Sequence, residues 1–201
     1  MSPGVDATSN PADSSGSDPS TAELVEHLLK HSVRVGDFVL KSGRKTTWFI
    51  DAKQTTCRPE GMLLVADALL AALPDDITAI GGLTMGADAV AFGTAAVAAT
   101  RGRSLRSFSV RKEVKDHGGG GRVAGALEPG DRVAITEDAV TRGVSMLEAV
   151  EVVRAAGAEP VLLVPVVDRG GTCAALAAEA GIAYHPLVGA PQLGFPFEKD
   201  A

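Results

Sequence analysis

Apolar positions along the chain fall into short blocks with two different periods. Leu24, Val25, Leu28 and Leu29 recur at helical spacing, so Ala22 to His31 reads as an amphipathic helix opened by a Ser20/Glu23 capping pair. Phe38-Val39-Leu40 and Thr46 to Ile50 read as two strands, with Lys41-Ser42-Gly43-Arg44-Lys45 as the turn between them. A helix starts at Cys57-Arg58-Pro59-Glu60, with proline near its first position, and ends at Pro74-Asp75-Asp76. Core strands follow at Ile77 to Ile80, Leu105 to Val110, Val133 to Ile135 and Ala158 to Val167. The run at 133–135 opens after the Pro129-Gly130-Asp131 turn and has no polar alternation, as in a buried parallel strand. Helices are expected at Ala89 to Thr100, Met146 to Ala155 and Thr172 to Ala180, the last closed by Gly181. Ile182 to Leu187 reads as a short strand, and residues 189–198 as an irregular end placed to cover a site. Strand and helix in alternation make an α/β fold, a central parallel sheet flanked by helices.

Composition narrows this picture. The 201 residues suffice for one domain plus a tail, and residues 1–20 hold almost nothing to bury, so they read as a disordered tail. The chain is 45% hydrophobic but only 4% aromatic, which implies an aliphatic core. A net charge of −6 without a basic block argues against nucleic acid as a partner. Cys57 and Cys173 lie far apart with no metal-ligand spacing and read as free thiols of a reducing cytoplasm. The first twenty residues lack the basic start and apolar stretch of a secretory signal. The longest apolar run, Met62 to Leu73, is too short for a membrane span and contains Asp67. His27 and His31 on the first helix read as surface residues.

Candidate chemistry concentrates at residues 133–145. Glu137 and Asp138 stand where the apolar strand would end, and Thr141, Gly143 and Ser145 form a small polar loop ahead of a helix. That layout places a ligand at the carboxyl edge of the sheet. Loop N–H groups and a helix N-terminus suit a phosphate, and two carboxylates suit hydroxyls, so the stretch would bind a sugar phosphate. The same layout also serves as a plain helix cap in many α/β proteins. Gly81-Gly82-Leu83-Thr84-Met85-Gly86-Ala87-Asp88 is a second loop of this type. Residues 111–122 carry a run of charges and four successive glycines, which reads as a long mobile loop, either functional or merely solvated.

Four of these stretches, in order, resemble orotate phosphoribosyltransferases of the type I phosphoribosyltransferase family. They are Leu40-Lys41-Ser42-Gly43-Arg44 with Trp48-Phe49, the string Arg111-Lys112-Glu113-Val114-Lys115-Asp116-His117-Gly118, the 133–145 motif, and Asp168-Arg169. The resemblance implies one domain over 21–201, with a small hood formed mainly by 21–56 plus the C-terminal segment, and a core of about 57–185. It implies that Glu137 and Asp138 hold the ribose hydroxyls of phosphoribosyl pyrophosphate. Ala139, Val140, Thr141, Arg142, Gly143, Val144 and Ser145 would wrap its 5′-phosphate. Lys41, Arg111, Lys112, Lys115 and His117 would meet the pyrophosphate, with Lys115, His117 and Asp138 catalytic. Lys41, Trp48, Phe49, Thr141 and Arg169 would hold orotate, Arg169 through the carboxylate. Mg²⁺ would come with the substrate, and the loop would close over a neighbouring subunit in a homodimer.

Two departures accompany the resemblance. Thr141-Arg142-Gly143-Val144-Ser145 replaces the family's common Thr-Thr-Gly-Gly-Ser, so a β-branched residue stands where positive φ would strain it. The loop at 81–88 lacks the family's frequent lysine, which leaves the N–H groups of Thr84 to Ala87, or Asp88 through a water on Mg²⁺, to meet the pyrophosphate. These changes keep a non-catalytic binder as one rival. A phosphoribosyltransferase for another base is the second, and Arg169 separates it, because a purine has no carboxylate to pair with.

Overall fold

The structure is a computed structural model that describes residues 19–39, 43, 45–114 and 121–198. Helix α1 (Pro19–His31) leads into an antiparallel pair, β1 (Val33–Val39) and β2 (Lys45–Ile50). The short α2 (Lys53–Thr56) and α3 (Pro59–Ala72) connect this pair to the main sheet. The sheet order is β5-β4-β3-β6-β7-β8, with β9 also on β7. Its strands are β3 (Ala79–Leu83), β4 (Arg106–Val110), β5 (Val123–Gly125), β6 (Arg132–Val140), β7 (Glu159–Asp168), β8 (Ala183–Tyr184) and β9 (Val188–Gly189). All its pairings are parallel except β4–β5. Crossovers are α4 (Gly86–Thr100), α5 (Val144–Ala155) and α6 (Cys173–Glu179).

Period-2 alternation along the strands builds two cores. Ile80, Ala134, Leu162, Val164 and Val166 face one way, into a cluster with Leu24 and Leu28 of α1, Val65 and Leu69 of α3, and Val90 of α4. Ala79, Leu83, Val133, Ile135 and Leu163 face the other way, against Met146, Val150 and Val153 of α5 and Ala177 of α6. Each fully buried Leu, Ile or Val contributes roughly 1.5–3 kcal/mol of transfer free energy. The result is helices, sheet, helices, with every strand between β4 and β7 sealed on both faces.

Several boundaries depart from the sequence reading. β6 does not stop at Ile135. It runs on to Val140, because Thr136 pairs with Val164, Glu137 with Pro165 and Ala139 with Val167 on β7. The acidic pair therefore sits inside a strand rather than after one. α4 begins at Gly86, three residues before Ala89, and α5 begins at Val144, inside the expected phosphate loop. β1 starts at Val33 rather than Phe38, while Leu40 lies outside the described residues. β5 and α2 had no clear sequence signal.

Candidate active site

From β3 the chain moves outward to β4 on one side, and from β6 it moves outward to β7 on the other. The crevice between β3 and β6 is thus the topological switch point, where open α/β sheets bind ligands. Glu137 and Asp138 stand beside it, 7% and 6% exposed. The N-terminus of α4 presses on both. A Cβ added at Gly86 would lie 2.0 Å from Glu137 Oε1 and 2.4 Å from Asp138 Oδ1, so only glycine admits this approach. The Thr84–Met85 peptide just before it is cis.

Two buried carboxylates side by side are electrostatically costly, and the structure offsets that in three ways. The amino end of α4 places positive backbone dipole near them. Ser145 hydrogen-bonds Glu137. Lys53 donates from Nζ to Asp138 Oδ2 at 2.8 Å, while Asp138 Oδ1 accepts from the Ala139 N–H at 2.9 Å. Burial, followed by the Asp138 charge, still raises the pKa of Glu137 well above the ordinary glutamate range. Burial works against the charge of Lys53, but its hydrogen bond to Asp138 and the charges of Asp138 and Asp51 outweigh it, so its pKa rises.

The loop after β6 is held from two sides. Gly143 adopts φ 78° as the residue ahead of α5, and a Cβ there would meet Cys173 Sγ at 2.6 Å. Every positive-φ residue among those described is a glycine, so Val144 carries no such strain; it opens α5 and is 62% exposed. Arg142 is exposed and Ser145 half-buried. The Thr141 carbonyl accepts the Thr172 hydroxyl at 3.0 Å, and Gly170 packs against that carbonyl so closely that a Cβ would lie 1.9 Å away. The loops following β6 and β7 are therefore interlocked.

Arg169 follows β7 at the same sheet edge. Asp168 anchors its turn, accepting from the N–H groups of Gly170 at 3.0 Å and Gly171 at 2.8 Å, and from the Tyr184 hydroxyl at 2.8 Å. The Arg169 N–H donates to the Val140 carbonyl at 2.8 Å, which ties it to β6. Its guanidinium is buried, lies 5.0 Å from the centre of the Trp48 ring and donates to the Trp48 carbonyl at 3.3 Å. It also pairs with Glu198, whose other oxygen accepts the Thr46 hydroxyl. Phe195 stacks on Trp48 at 4.5 Å with the rings 8° apart. The C-terminal segment thus covers this corner, as the sequence suggested for 189–198.

The expected residues divide into groups. Glu137, Asp138, Ala139, Val140, Thr141, Gly143, Val144 and Ser145 share the β6 edge, with Arg142 on its outer rim. Trp48 and Phe49 are neighbours on β2 and so face opposite ways: Trp48 is 1% exposed, and Phe49 turns outward toward Phe38 at 6.0 Å. Arg111 follows β4 and exchanges contacts with Arg122, its N–H to the Arg122 carbonyl at 2.7 Å and Arg122 Nε to its own carbonyl at 2.8 Å. Lys112 is exposed. Lys41, Lys115 and His117 lie outside the described residues. The sequence reading missed Lys53, Gly86 as a contact, the Asp168–Tyr184 anchor and Glu198. Only Lys53 carried a trace in the sequence, as a lysine shortly after a strand ending at Ile50.

A mostly parallel sheet wound in this order, with an acid pair and a glycine-shaped helix start at its switch point, defines a type I phosphoribosyltransferase fold. Solved structures agree. Orotate phosphoribosyltransferase from Mycobacterium tuberculosis in complex with 5-phospho-α-D-ribosyl 1-diphosphate superposes with a TM-score of 0.74 at 32% identity, over 88% of this chain and 100% of that one. The Corynebacterium diphtheriae phosphoribosyltransferase gives 0.77 at 34%, over 88% and 99%. Among curated proteins, orotate phosphoribosyltransferase of Streptomyces coelicolor is 41% identical over 174 residues, 86% of this chain and 96% of its own length. That of Aquifex aeolicus is 40% identical over 151 residues, 73% and 82%. No family model matches the chain. The chain belongs to the orotate phosphoribosyltransferase family.

Proposed function

We propose that the protein joins N1 of orotate to C1 of phosphoribosyl pyrophosphate, giving orotidine 5′-monophosphate and pyrophosphate, a step of pyrimidine biosynthesis. The observation that carries this reading is the buried acid pair at the switch point, Glu137 and Asp138, pressed against a helix start where only glycine fits. The pair takes the ribose hydroxyls, and the backbone from Ala139 to Ser145 takes the 5′-phosphate at the amino end of α5. Arg169 supplies a planar fork for the orotate carboxylate, held beside Trp48 by the Asp168 turn. Lys41, Arg111, Lys112, Lys115 and His117 are assigned to the diphosphate on the resemblance.

Bond exchange at C1 passes through a cationic sugar. The nucleophile is an already anionic pyrimidine, so no covalent intermediate is needed and catalysis is positioning plus charge stabilisation. The Asp138 carboxylate, with Glu137 beside it, faces the cationic sugar. Mg²⁺ bound to the diphosphate would neutralise the leaving group. The hard oxygen donors here suit that ion: Asp88 has one buried oxygen without a hydrogen bond among the described residues, and its other oxygen accepts the Thr84 hydroxyl at 2.6 Å. The ion is assigned to enter bound to the substrate diphosphate. We assign a homodimer with loop exchange. Exposed Leu63 and Phe92 on the packed helices α3 and α4, with Met85 ahead of α4, offer apolar surface for it. No helix among the described residues is long and apolar enough to cross a membrane, and a cytoplasmic setting fits the two free thiols.

The test follows orotate consumption with phosphoribosyl pyrophosphate and Mg²⁺, in the wild type and in Arg169→Gln. The variant is expected to raise the orotate KM by about 10²-fold, the cost of removing one partner of a charged pair. Absence of orotate turnover by folded wild-type protein would sink the assignment.

A further inference from the structure

Lys53 opens α2, three residues after β2 ends at Ile50. Its ammonium bridges two carboxylates, Asp138 Oδ2 at 2.8 Å and Asp51 Oδ1 at 3.4 Å. Among the described residues it is the side-chain cation paired with the acid pair of β6; neither Glu137 nor Asp138 has another. Its side chain is 46% exposed, so the ammonium reaches the acid pair from the solvent side rather than from the core. An ammonium has three N–H donors. One bonds Asp138, and Asp51 lies at ion-pair distance without a hydrogen bond to it, so N–H capacity remains for an oxygen arriving from the cleft.

The local charge sum makes this contact consequential. Asp51, Glu137 and Asp138 bring up to three negative charges to one corner, against Lys53 and the partial positive end of α4. A polyanionic donor must enter this same corner to place its ribose on Asp138. Without Lys53 it would meet uncompensated carboxylates, and Asp138 would lose the contact that fixes Oδ2 while Ala139 N–H fixes Oδ1.

We propose that Lys53 is a positioning residue for the phosphoribosyl donor: it orients Asp138 for the sugar hydroxyl and presents its remaining N–H to the donor's anionic oxygens. This rests on the reading of Glu137 and Asp138 as the ribose site. The role is selective by geometry. Lys53 pairs with Asp138 and Asp51, whereas the hydrogen bonds of the Arg169 corner run among Trp48, Thr46, Glu198 and the Asp168 turn.

The experiment uses the full chain with Mg²⁺ and three proteins: wild type, Lys53→Gln and Lys53→Arg. Steady-state KM is measured for phosphoribosyl pyrophosphate and for orotate separately, and binding of phosphoribosyl pyrophosphate alone is followed by calorimetry. Lys53→Gln is expected to raise the donor KM about 10- to 100-fold, the loss of one charge-assisted contact, and to move the orotate KM less than about twofold. Lys53→Arg restores most of the donor affinity, because a guanidinium can still bond Asp138 and present a further N–H. An unchanged donor KM in Lys53→Gln overturns the proposal. So does an equal rise for both substrates without rescue by arginine, which marks a merely structural residue. If wild-type protein fails to bind phosphoribosyl pyrophosphate in the calorimeter, the ribose-site reading itself falls; if it binds and Lys53→Gln binds equally well, only the role of Lys53 falls.

Discussion

Alanine at Gly86 and at Gly82 should fail in different ways, and the difference separates site geometry from fold stability. Ordinary contact with a Cβ begins near 3.4 Å. In Gly86→Ala, Glu137 Oε1 at 2.0 Å and Asp138 Oδ1 at 2.4 Å must therefore retreat by about 1.4 and 1.0 Å. Both are ends of side chains that can swing, and alanine in a helix is otherwise favoured over glycine by about 0.5–1 kcal/mol. The fold should lose little. The two carboxylates, however, leave the positions proposed for them at the ribose, and a misplacement of about 1 Å costs on the order of 10²-fold in rate. In Gly82→Ala the obstacle is the Thr136 backbone carbonyl at 2.2 Å, with the Ala87 methyl at 2.7 Å behind it. Neither can swing away, because Thr136 is paired to β7. Overpacking there should cost about 1–3 kcal/mol or more, a fall in Tm of roughly 2–10 °C for a domain of this size. The assay is kcat/KM for phosphoribosyl pyrophosphate beside thermal unfolding. A Gly86→Ala protein with wild-type kcat/KM would refute the placement of the acid pair at the reacting sugar.

Other consequences follow from single contacts. Because Glu137 has a raised pKa when folded, the native state keeps a proton that the unfolded chain has released; its contribution to stability declines as pH rises from the ordinary glutamate range through the raised value. Urea midpoints at about pH 5 and about pH 8 should therefore differ less in Glu137→Gln than in the wild type; equal differences would contradict this. Tyr184→Phe leaves Asp168 Oδ2 buried without its donor, at a cost of about 1–3 kcal/mol. Thermal unfolding reads the loss, and the orotate KM should rise with it, because Asp168 also fixes the Arg169 turn. Glu198→Ala strips the buried Arg169 of its carboxylate and should destabilise the fold by about 3 kcal/mol. Added orotate, which brings a replacement carboxylate, should raise Tm more in that variant than in the wild type; an equal shift would mean that Arg169 does not receive the substrate carboxylate.

The layered fold was legible because its cause is local. Apolar runs at 133–135 and 158–167 can only be buried strands, and Ala-rich segments between them must cover the sheet. The extent of β6 was not legible, since Glu137 and Asp138 look like a strand terminator in one dimension. Pairing with β7 carries the strand past them, and their charges are met by α4 and by Lys53, which come from distant parts of the chain. Val144 shows the opposite error. Read against a motif it looked strained, but the turn places its positive φ one residue earlier, at Gly143, and Val144 simply begins a helix. Both corrections have one origin. A binding edge is made where several strands end together, and each residue there answers to partners that spacing along a single strand does not reveal. The same holds for Trp48 and Phe49: adjacent in sequence they suggest a pair, yet the pleat of β2 sends Trp48 under Phe195 and Arg169 and turns Phe49 outward. Of the two, it is Trp48, stacked on Phe195 and beside Arg169, that fits the proposed base subsite.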